Sequence, residues 1–243
     1  MFPLYDDNPS RAAAVAIMLI IALNLAAWAL VQGLGTEPAL SHSLCRLGLI
    51  PAELLHTAPP GTEVALGEGA VCVLGHPNWL TPLTSMFLHG SWLHIIGNLW
   101  FLWVFGNNVE DVLGHGRFVV FYILCGLAAA ATQTLADPTS PIPMIGASGA
   151  IGGVMGAYAV SFPRSRVLTL IVLGFYVRTV WVPAWLMLGY WFLLQFLSGL
   201  PARASQEGGV AFWAHVGGFA AGAALVFLVR PRAAPISDLD SAF

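Results

Sequence analysis

The sequence carries few charges and no lysine. Only 9% of its 243 residues are charged, its nine basic residues are all arginine, and its net charge is −3 at pH 7. A typical soluble domain has about 25% charged residues. The low count and the acidic balance exclude binding to nucleic acid through a basic surface. A hydrophobic content of 58% excludes a disordered chain, so we expect a helical protein whose surroundings are the lipid bilayer.

Cysteine is also scarce, and three residues are too few for a disulfide framework. Cys45 and Cys72 share one long loop and could pair in an oxidising compartment. Cys125 lies in an apolar segment, where packing is its simplest role. The sequence leaves the pairing of the first two open.

Charged residues are absent from six long intervals, and a helix needs only about 20 apolar residues to cross a bilayer. The intervals are 12–36, 69–109, 118–136, 138–163, 179–202 and 208–229. We place the helices at 12–33, 83–106, 118–136, 148–162, 184–200 and 211–229. The sequence thus predicts an all-α polytopic membrane protein with six spans and a long first outer loop, 34–82.

The spans form one membrane domain, 12–230, between short polar tails at 1–11 and 231–243. An apolar stretch within 163–183 is too short to span, so we interpret it as an interfacial connection. Arginine is enriched in cytoplasmic loops. With six spans, one side of the membrane holds seven arginines: Arg11, Arg117, Arg164, Arg166, Arg178, Arg230 and Arg232. Because the other side holds only Arg46 and Arg203, we expect both tails in the cytoplasm and an integral plasma (inner) membrane protein.

The second span contains three polar residues that are costly in lipid. His89, His94 and Asn98 lie within ten residues, and the last two share a helix face because they are four residues apart. Hydrogen bonding to neighbouring helices for packing is the alternative to a functional role. Three such residues on one span favour function.

The fourth span begins at a serine between glycines. Ser148 follows an outer proline-rich loop and opens the helix, where free backbone N–H groups favour negative charge. A helix-capping serine is common and is the alternative explanation. Gly146 and Gly149 flank it and would let a substrate backbone approach closely.

The sixth span contains a single ionisable residue, His215. Gly218 and Gly222 follow it with the spacing typical of tightly packed helices. A lone membrane histidine is most often a packing residue. Here it lies at the same shallow depth as Ser148, so a hydrogen bond between the two is geometrically plausible.

These residues together form a set that acyl transfer requires. A neutral histidine can activate a serine nucleophile, which assigns Ser148 and His215 to a catalytic dyad. His94, Asn98 and the Ser148 N–H are available to stabilise an oxyanion. Asp137 and Glu207 lie in outer loops and fit poorly as a third member. No zinc or phosphate-binding motif is present, so we expect no metal and no cofactor.

Three motifs resemble the rhomboid family of intramembrane serine proteases. They are His89 with His94-Ile-Ile-Gly-Asn98, Gly146-Ala-Ser148-Gly149, and Ala214-His215-Val-Gly-Gly218-Phe-Ala-Ala-Gly222. The resemblance implies a helical bundle with the long loop lying partly in the outer leaflet. It implies Ser148 as nucleophile, His215 as base, His94 and Asn98 at the oxyanion, and His89 as a structural link to the long loop.

Two positions depart from the family pattern. Many members carry Trp-Arg near the end of the first long loop, whereas Trp79 is followed here by Leu80. Some members have an aromatic residue that stacks on the catalytic histidine four residues after the serine. Gly152 occupies that position here, so His215 must be held in another way.

The function predicted is cleavage of peptide bonds in or next to transmembrane helices of single-span membrane proteins. The active site would open to the outer side, and the substrate helix would unwind locally, because a helical peptide bond is shielded. The fifth helix, with Trp185, Tyr190, Trp191 and Phe192, and the loop 201–210 are candidates for a lateral gate and lid. Contact of these aromatic side chains with lipid is the alternative. The alternative is a non-enzymatic membrane bundle, either a chaperone or a small transporter.

Overall fold

The computed structural model describes residues 1–67, 69–75, 77–205 and 211–230 and is mainly helical. The strands, in chain order, are β1 (Phe2–Asp6), β2 (Glu63–Gly67), β3 (Ala70–Val73), β4 (Arg166–Leu173) and β5 (Tyr176–Pro183). The helices are α1 (Val15–Ala26), α2 (Ala39–Leu47), α3 (Pro51–Leu54), α4 (Thr81–Thr84), α5 (Trp92–Leu113), α6 (His115–Ala136), α7 (Ser148–Ser161), α8 (Ala184–Ser205) and α9 (Phe212–Val229). A π-helical turn, Ala27–Val31, extends α1.

The six longest apolar helices lie close to the six predicted segments. Two of them, α6 and α9, are long and apolar enough to cross a bilayer; the count of six crossings stays a prediction. The largest error is at α5, which begins at Trp92 and not at residue 83. The Ser91 hydroxyl accepts a hydrogen bond from the His94 N–H at 3.2 Å and thereby caps the helix.

Helix α7 lies at the centre of the bundle. Its residues 149–158 are all buried, and it packs against α5, α6 and α9. A Cβ atom at Gly218 of α9 would overlap the Gly149 carbonyl oxygen, and one at Gly222 would overlap that of Gly153. The two backbones therefore touch directly, which is the packing that the glycine spacing predicts.

The expectation of an all-α fold is wrong in two regions, which form a three-stranded sheet and a two-stranded hairpin. Strands β1, β4 and β5 form an antiparallel sheet in the order β1-β4-β5, so both the N-terminal tail and the predicted interfacial connection contain strands. Strands β4 and β5 are rich in valine, leucine, isoleucine and threonine, which favour a pleated, half-buried surface. They turn at Gly174, whose φ of +59° is readily adopted by glycine. The sheet lies beyond the C-terminal end of α7.

The long loop is folded and held to the bundle. Strands β2 and β3 form a hairpin, and a disulfide joins Cys45 of α2 to Cys72 of β3 with 5.3 Å between their Cα atoms. An isolated bridge pairs Leu49 with Met144, two residues before Gly146. The loop and the start of α7 are therefore at the same end of the bundle.

A buried carboxylate organises the opposite end. Glu110 of α5 is 1% exposed and accepts hydrogen bonds from the Ala16 and Ile17 N–H groups at 2.8 and 3.0 Å. These donors begin α1, whose own residues provide no side-chain cap. A carboxylate at a helix N-terminus is favoured by the helix dipole, so Glu110 fixes α1 against α5. The predicted tail 231–243 lies outside the described residues.

Candidate active site

Ser148 and His215 meet where α7 and α9 begin. The Ser148 Oγ lies 2.8 Å from the His215 Nε2. Ser148 is the first residue of α7, and His215 lies in the first turn of α9. Their approach depends on the buried stripe of α9 that faces α7, which includes Ala214, Gly218 and Gly222. A serine hydroxyl at this distance from an imidazole nitrogen has the geometry of a nucleophile and its base.

A glutamine occupies the other side of the imidazole. The His215 Nδ1 lies 2.8 Å from the Gln195 Oε1, which belongs to α8. Because a carbonyl oxygen only accepts hydrogen bonds, Nδ1 is the protonated nitrogen in this arrangement. Gln195 was not among the predicted site residues, because only charged side chains were considered as a third member. A polar amide in the apolar run of α8 is the sequence signal for it.

An aromatic ring from α8 also packs against the imidazole. The Trp191 and His215 ring centroids are 5.7 Å apart, and Trp191 and Gln195 lie on one face of α8 because they are four residues apart. At Gly152, a Cβ atom would lie 3.1 Å from the His215 carbonyl oxygen. The missing aromatic of α7 is thus replaced from another helix, while Gly152 lets α9 come close.

His94 presents its second nitrogen to Gly146, two residues before the serine. The Gly90 N–H donates to the His94 Nδ1 at 3.3 Å, so the proton of a neutral imidazole is on Nε2. A Cβ atom at Gly146 would lie 2.8 Å from that Nε2 and 3.5 Å from the Ser148 Oγ. Gly146 has a φ of +118°. Glycine is required here both by the backbone conformation and by the lack of space.

Two further predicted site residues lie close to His94. Asn98 is in α5, and His89 is in the segment just before this helix. Asn98 is 7% exposed, and its Nδ2 donates to the His94 carbonyl oxygen at 3.0 Å. His89 is fully buried, with its ring centroid 5.1 Å from that of His94. The His89 backbone makes two hydrogen bonds with the Gln32 side chain, at 2.7 and 2.8 Å. The link from this segment to the end of the first helix therefore runs through the His89 backbone.

A small pocket adjoins the serine. Small residues form much of its wall: Gly126, Ala129, Gly149, Ala150 and Ala214. Ser85 also lines it, and the Ser85 carbonyl oxygen accepts a hydrogen bond from the Gly146 N–H at 2.9 Å. The space beside Ser148 therefore suits a small apolar side chain.

Neither acidic candidate completes the site in the part of the chain that the structure describes. Asp137 accepts a hydrogen bond from the Thr139 hydroxyl in the exposed outer loop, and Glu207 lies outside the described residues. Both hydrogen-bond partners of the His215 ring are neutral. Within the described ranges, no three metal-binding side chains cluster.

A family model and the similar proteins all indicate the same family. The rhomboid domain model matches residues 76–232. The chain is 30% identical over 164 residues to rhomboid protease GluP of Bacillus subtilis, which covers 68% of this chain and 29% of that protein. It is 29% identical over 168 residues to the chloroplastic rhomboid-like protein 11 of Arabidopsis thaliana, covering 68% of this chain and 57% of the relative. The matched part of the chain thus covers less than a third of the length of the first relative and just over half of the length of the second. The matched region contains all three motifs, and the chain belongs to the rhomboid family.

Proposed function

We propose that this chain is an intramembrane serine protease in which Ser148 is the nucleophile and His215 the general base. The observation that carries the proposal is the distance of 2.8 Å between the Ser148 Oγ and the His215 Nε2. Family membership adds support, since one relative is itself named a rhomboid protease. If these polar residues served only to pack the helices together, there would be no need for a glycine, Gly146, in close contact with both His94 and Ser148.

The proposed reaction uses the His215 tautomer in which Nδ1 is protonated and Nε2 is free to accept a proton. As Ser148 Oγ attacks the peptide carbonyl carbon, its proton moves to the unprotonated His215 Nε2. The tetrahedral intermediate collapses, the C–N bond breaks, and the leaving amine takes that proton from Nε2. Water then attacks the acyl-enzyme ester and gives a proton to Nε2. When the ester bond breaks, the carboxylic acid product leaves and Ser148 regains its proton.

We assign three hydrogen-bond donors to the oxyanion. The Ser148 N–H belongs to the free N–H groups at the start of α7. The protonated His94 Nε2 lies against Gly146, two residues before Ser148. Asn98 donates one amide hydrogen to the His94 carbonyl, which leaves its second hydrogen for the substrate. Preorganised donors of this kind are each worth roughly 10²–10³ in kcat.

The proposed substrates are single-span membrane proteins cut in or next to the membrane. The pocket beside Ser148 has small apolar walls, so a small side chain should precede the cleaved bond. A substrate helix must unwind to expose its carbonyl, because its peptide groups are otherwise paired within the helix. Residues that weaken a helix near its outer end should therefore promote cleavage.

We further propose that the site opens to the outer side of a plasma membrane, with both termini in the cytoplasm. Two observations support this orientation. The arginine distribution favours it, and the Cys45–Cys72 disulfide lies in the loop that is joined to the outer approach to Ser148. Disulfides persist in oxidising compartments, which the cytoplasm is not.

Cleavage of a single-span model substrate by the purified protein tests the dyad. Ser148→Ala and His215→Ala should each lower the rate by at least about 10³-fold, because the two groups act as a unit. Ser161→Ala, the same change at the other end of α7, should leave the rate unchanged. A fluorophosphonate probe should label the wild type and the Ser161 variant but not Ser148→Ala. Cleavage by a folded Ser148→Ala variant would overturn the dyad, and an unlabelled, inactive wild type would favour the non-enzymatic bundle.

A further inference from the structure

The hydrogen bond between Gln195 and His215 joins two helices at the reacting centre. We propose that Gln195 is a positioning residue that fixes the tautomer of His215, so that the base is competent only while α8 stays packed against α9. This inference rests on the proposed function of Ser148 and His215. It assigns a third member to the site, and that member is a neutral amide from a peripheral helix.

The tautomer decides whether His215 can act as a base. A neutral imidazole carries one N–H, and the Gln195 Oε1 at 2.8 Å accepts it from Nδ1. The lone pair of Nε2 then faces the Ser148 hydroxyl at 2.8 Å. In the opposite tautomer, Nε2 would donate to the serine and could not take its proton. Gln195 therefore favours the productive form before substrate arrives.

A carboxylate at this position would behave differently from the amide. It would hold the same tautomer but would also stabilise the imidazolium, because an opposite charge nearby favours the charged form. A histidine protonated at neutral pH cannot act as a base. An amide orients the ring without this charge and also avoids placing a carboxylate in an apolar helix.

The position of Gln195 on α8 makes the contact breakable. Outward-facing residues of α8 such as Leu193 and Leu197 are about half exposed. On its other face, Trp191 contacts the His215 ring, and the Gly199 carbonyl accepts a hydrogen bond from the Trp213 indole at 3.1 Å. An outward shift of α8 would remove Gln195 and Trp191 from the imidazole together.

Two substitutions separate orientation from charge. Gln195→Leu removes the acceptor, and kcat should fall roughly 10- to 100-fold with KM within about twofold, because general-base efficiency is lost and binding is not. Gln195→Glu restores an acceptor, and most of the lost kcat should return. Its carboxylate should move the acidic limb of the pH–rate profile upward by about one unit or more. Gln133→Leu is the matched control, because Gln133 accepts from the Ala214 N–H at 3.2 Å without touching the ring.

Nitrogen NMR of ¹⁵N-histidine-labelled protein in detergent reads the tautomer directly. The wild type and Gln133→Leu should show a protonated Nδ1 and an unprotonated Nε2 for His215, whereas Gln195→Leu should show a mixture. An unchanged tautomer together with an unchanged kcat in Gln195→Leu would overturn the proposal. If Ser148→Ala retained cleavage, the proposed protease function would fail, and the NMR result would still decide the role of Gln195.

Discussion

Helices α7 and α8 both lie beside His215, the proposed base, yet they are built in opposite ways. Residues 149–158 of α7 are all buried, and its contact with α9 is backbone against backbone at Gly149 and Gly153. Helix α8 meets α9 through large side chains such as Trp191 and Phe192, and its outer face is exposed. The proposed nucleophile is thus carried by a helix that cannot shift without a clash, and the proposed orienting groups by one that can.

This difference indicates where precision and movement lie in the site. Backbones in direct contact have no side-chain rotamers with which to adapt, so the Ser148–His215 distance is fixed by the fold. A peripheral helix with few buried contacts belongs to the low-stability part of a structure. The substitutions below test that contrast, beginning with the largest expected effect.

Glycine-to-alanine changes on the two helix interfaces should differ most. In Gly222→Ala, the new Cβ would overlap the Gly153 carbonyl, so α7 and α9 must separate and the protein should lose about 3 kcal/mol or more of stability. In Gly189→Ala on α8, the Cβ has no neighbour within 4 Å, and the better helix propensity should add up to about 1 kcal/mol. Unfolding in mixed detergent measures both. Equal stabilities for the two variants would refute the contrast between the helices.

A smaller effect is expected at Gly146, which lies between His94 and the start of α7. Gly146→Ala places a methyl group 2.8 Å from the His94 Nε2 at a φ of +118°, which displaces a proposed oxyanion donor. We expect kcat to fall roughly 10- to 100-fold, as for loss of one such donor. Gly75→Ala, where a Cβ meets nothing within 4 Å, is the control. Wild-type kcat in Gly146→Ala would show that His94 does not need this approach.

Removal of the aromatic contact from α8 should cost less again. Trp191→Leu keeps the helix apolar but removes the ring beside His215. Since Gln195 still holds the imidazole, kcat should fall by only about threefold to tenfold, in line with the modest worth of a ring contact. Leu186→Ala changes an exposed leucine of the same helix and should leave kcat unaltered. A loss in Trp191→Leu as large as that in Gly146→Ala would mean that α8 positions the site as rigidly as α7.

Charge-free intervals predict helices well where loops are polar and poorly where they are not. The starts of α7 at Ser148 and α8 at Ala184 were predicted correctly because proline-rich or charged segments precede them. Residues 83–91 are equally free of charge, but they form the end of α4, a short 3₁₀ helix at Ser85–Phe87 and a non-helical segment. The start of α5 therefore depends on the Ser91 cap and not on hydropathy. The strands were missed because only charge was examined. The β-branched residues of 166–173 were the available signal.

The candidate site also contains residues that the sequence predicts and one that it does not. Residue types and order suggested Ser148, His215 and His94, because buried polar groups are costly in lipid and therefore informative. No sequence spacing relates Gln195 to His215, twenty residues later, until the angle between α8 and α9 is known. The hydrogen bond between Asp6 and Tyr158 likewise depends on a strand that the sequence did not reveal.

That last contact supplies the smallest predicted effect, at the end of α7 away from Ser148. Burial raises the pKa of Asp6 to about 6, against a partial lowering by the Tyr158 hydroxyl. A raised carboxyl pKa means that the folded protein binds the proton more tightly than the unfolded chain. Its contribution to stability is therefore full below about pH 3.8 and is lost as pH rises to about 6.

Asp6→Asn keeps an acceptor for Tyr158 without the charge. Above pH 6 the variant should match or exceed the wild type by on the order of 1 kcal/mol, and the difference should shrink as pH falls toward 4. Melting temperatures of both proteins in detergent between pH 4 and 7.5 measure this. If the difference in melting temperature between the two proteins did not change with pH, Asp6 would not be desolvated. The sheet would then pack less tightly on the end of α7 than α9 packs on its start.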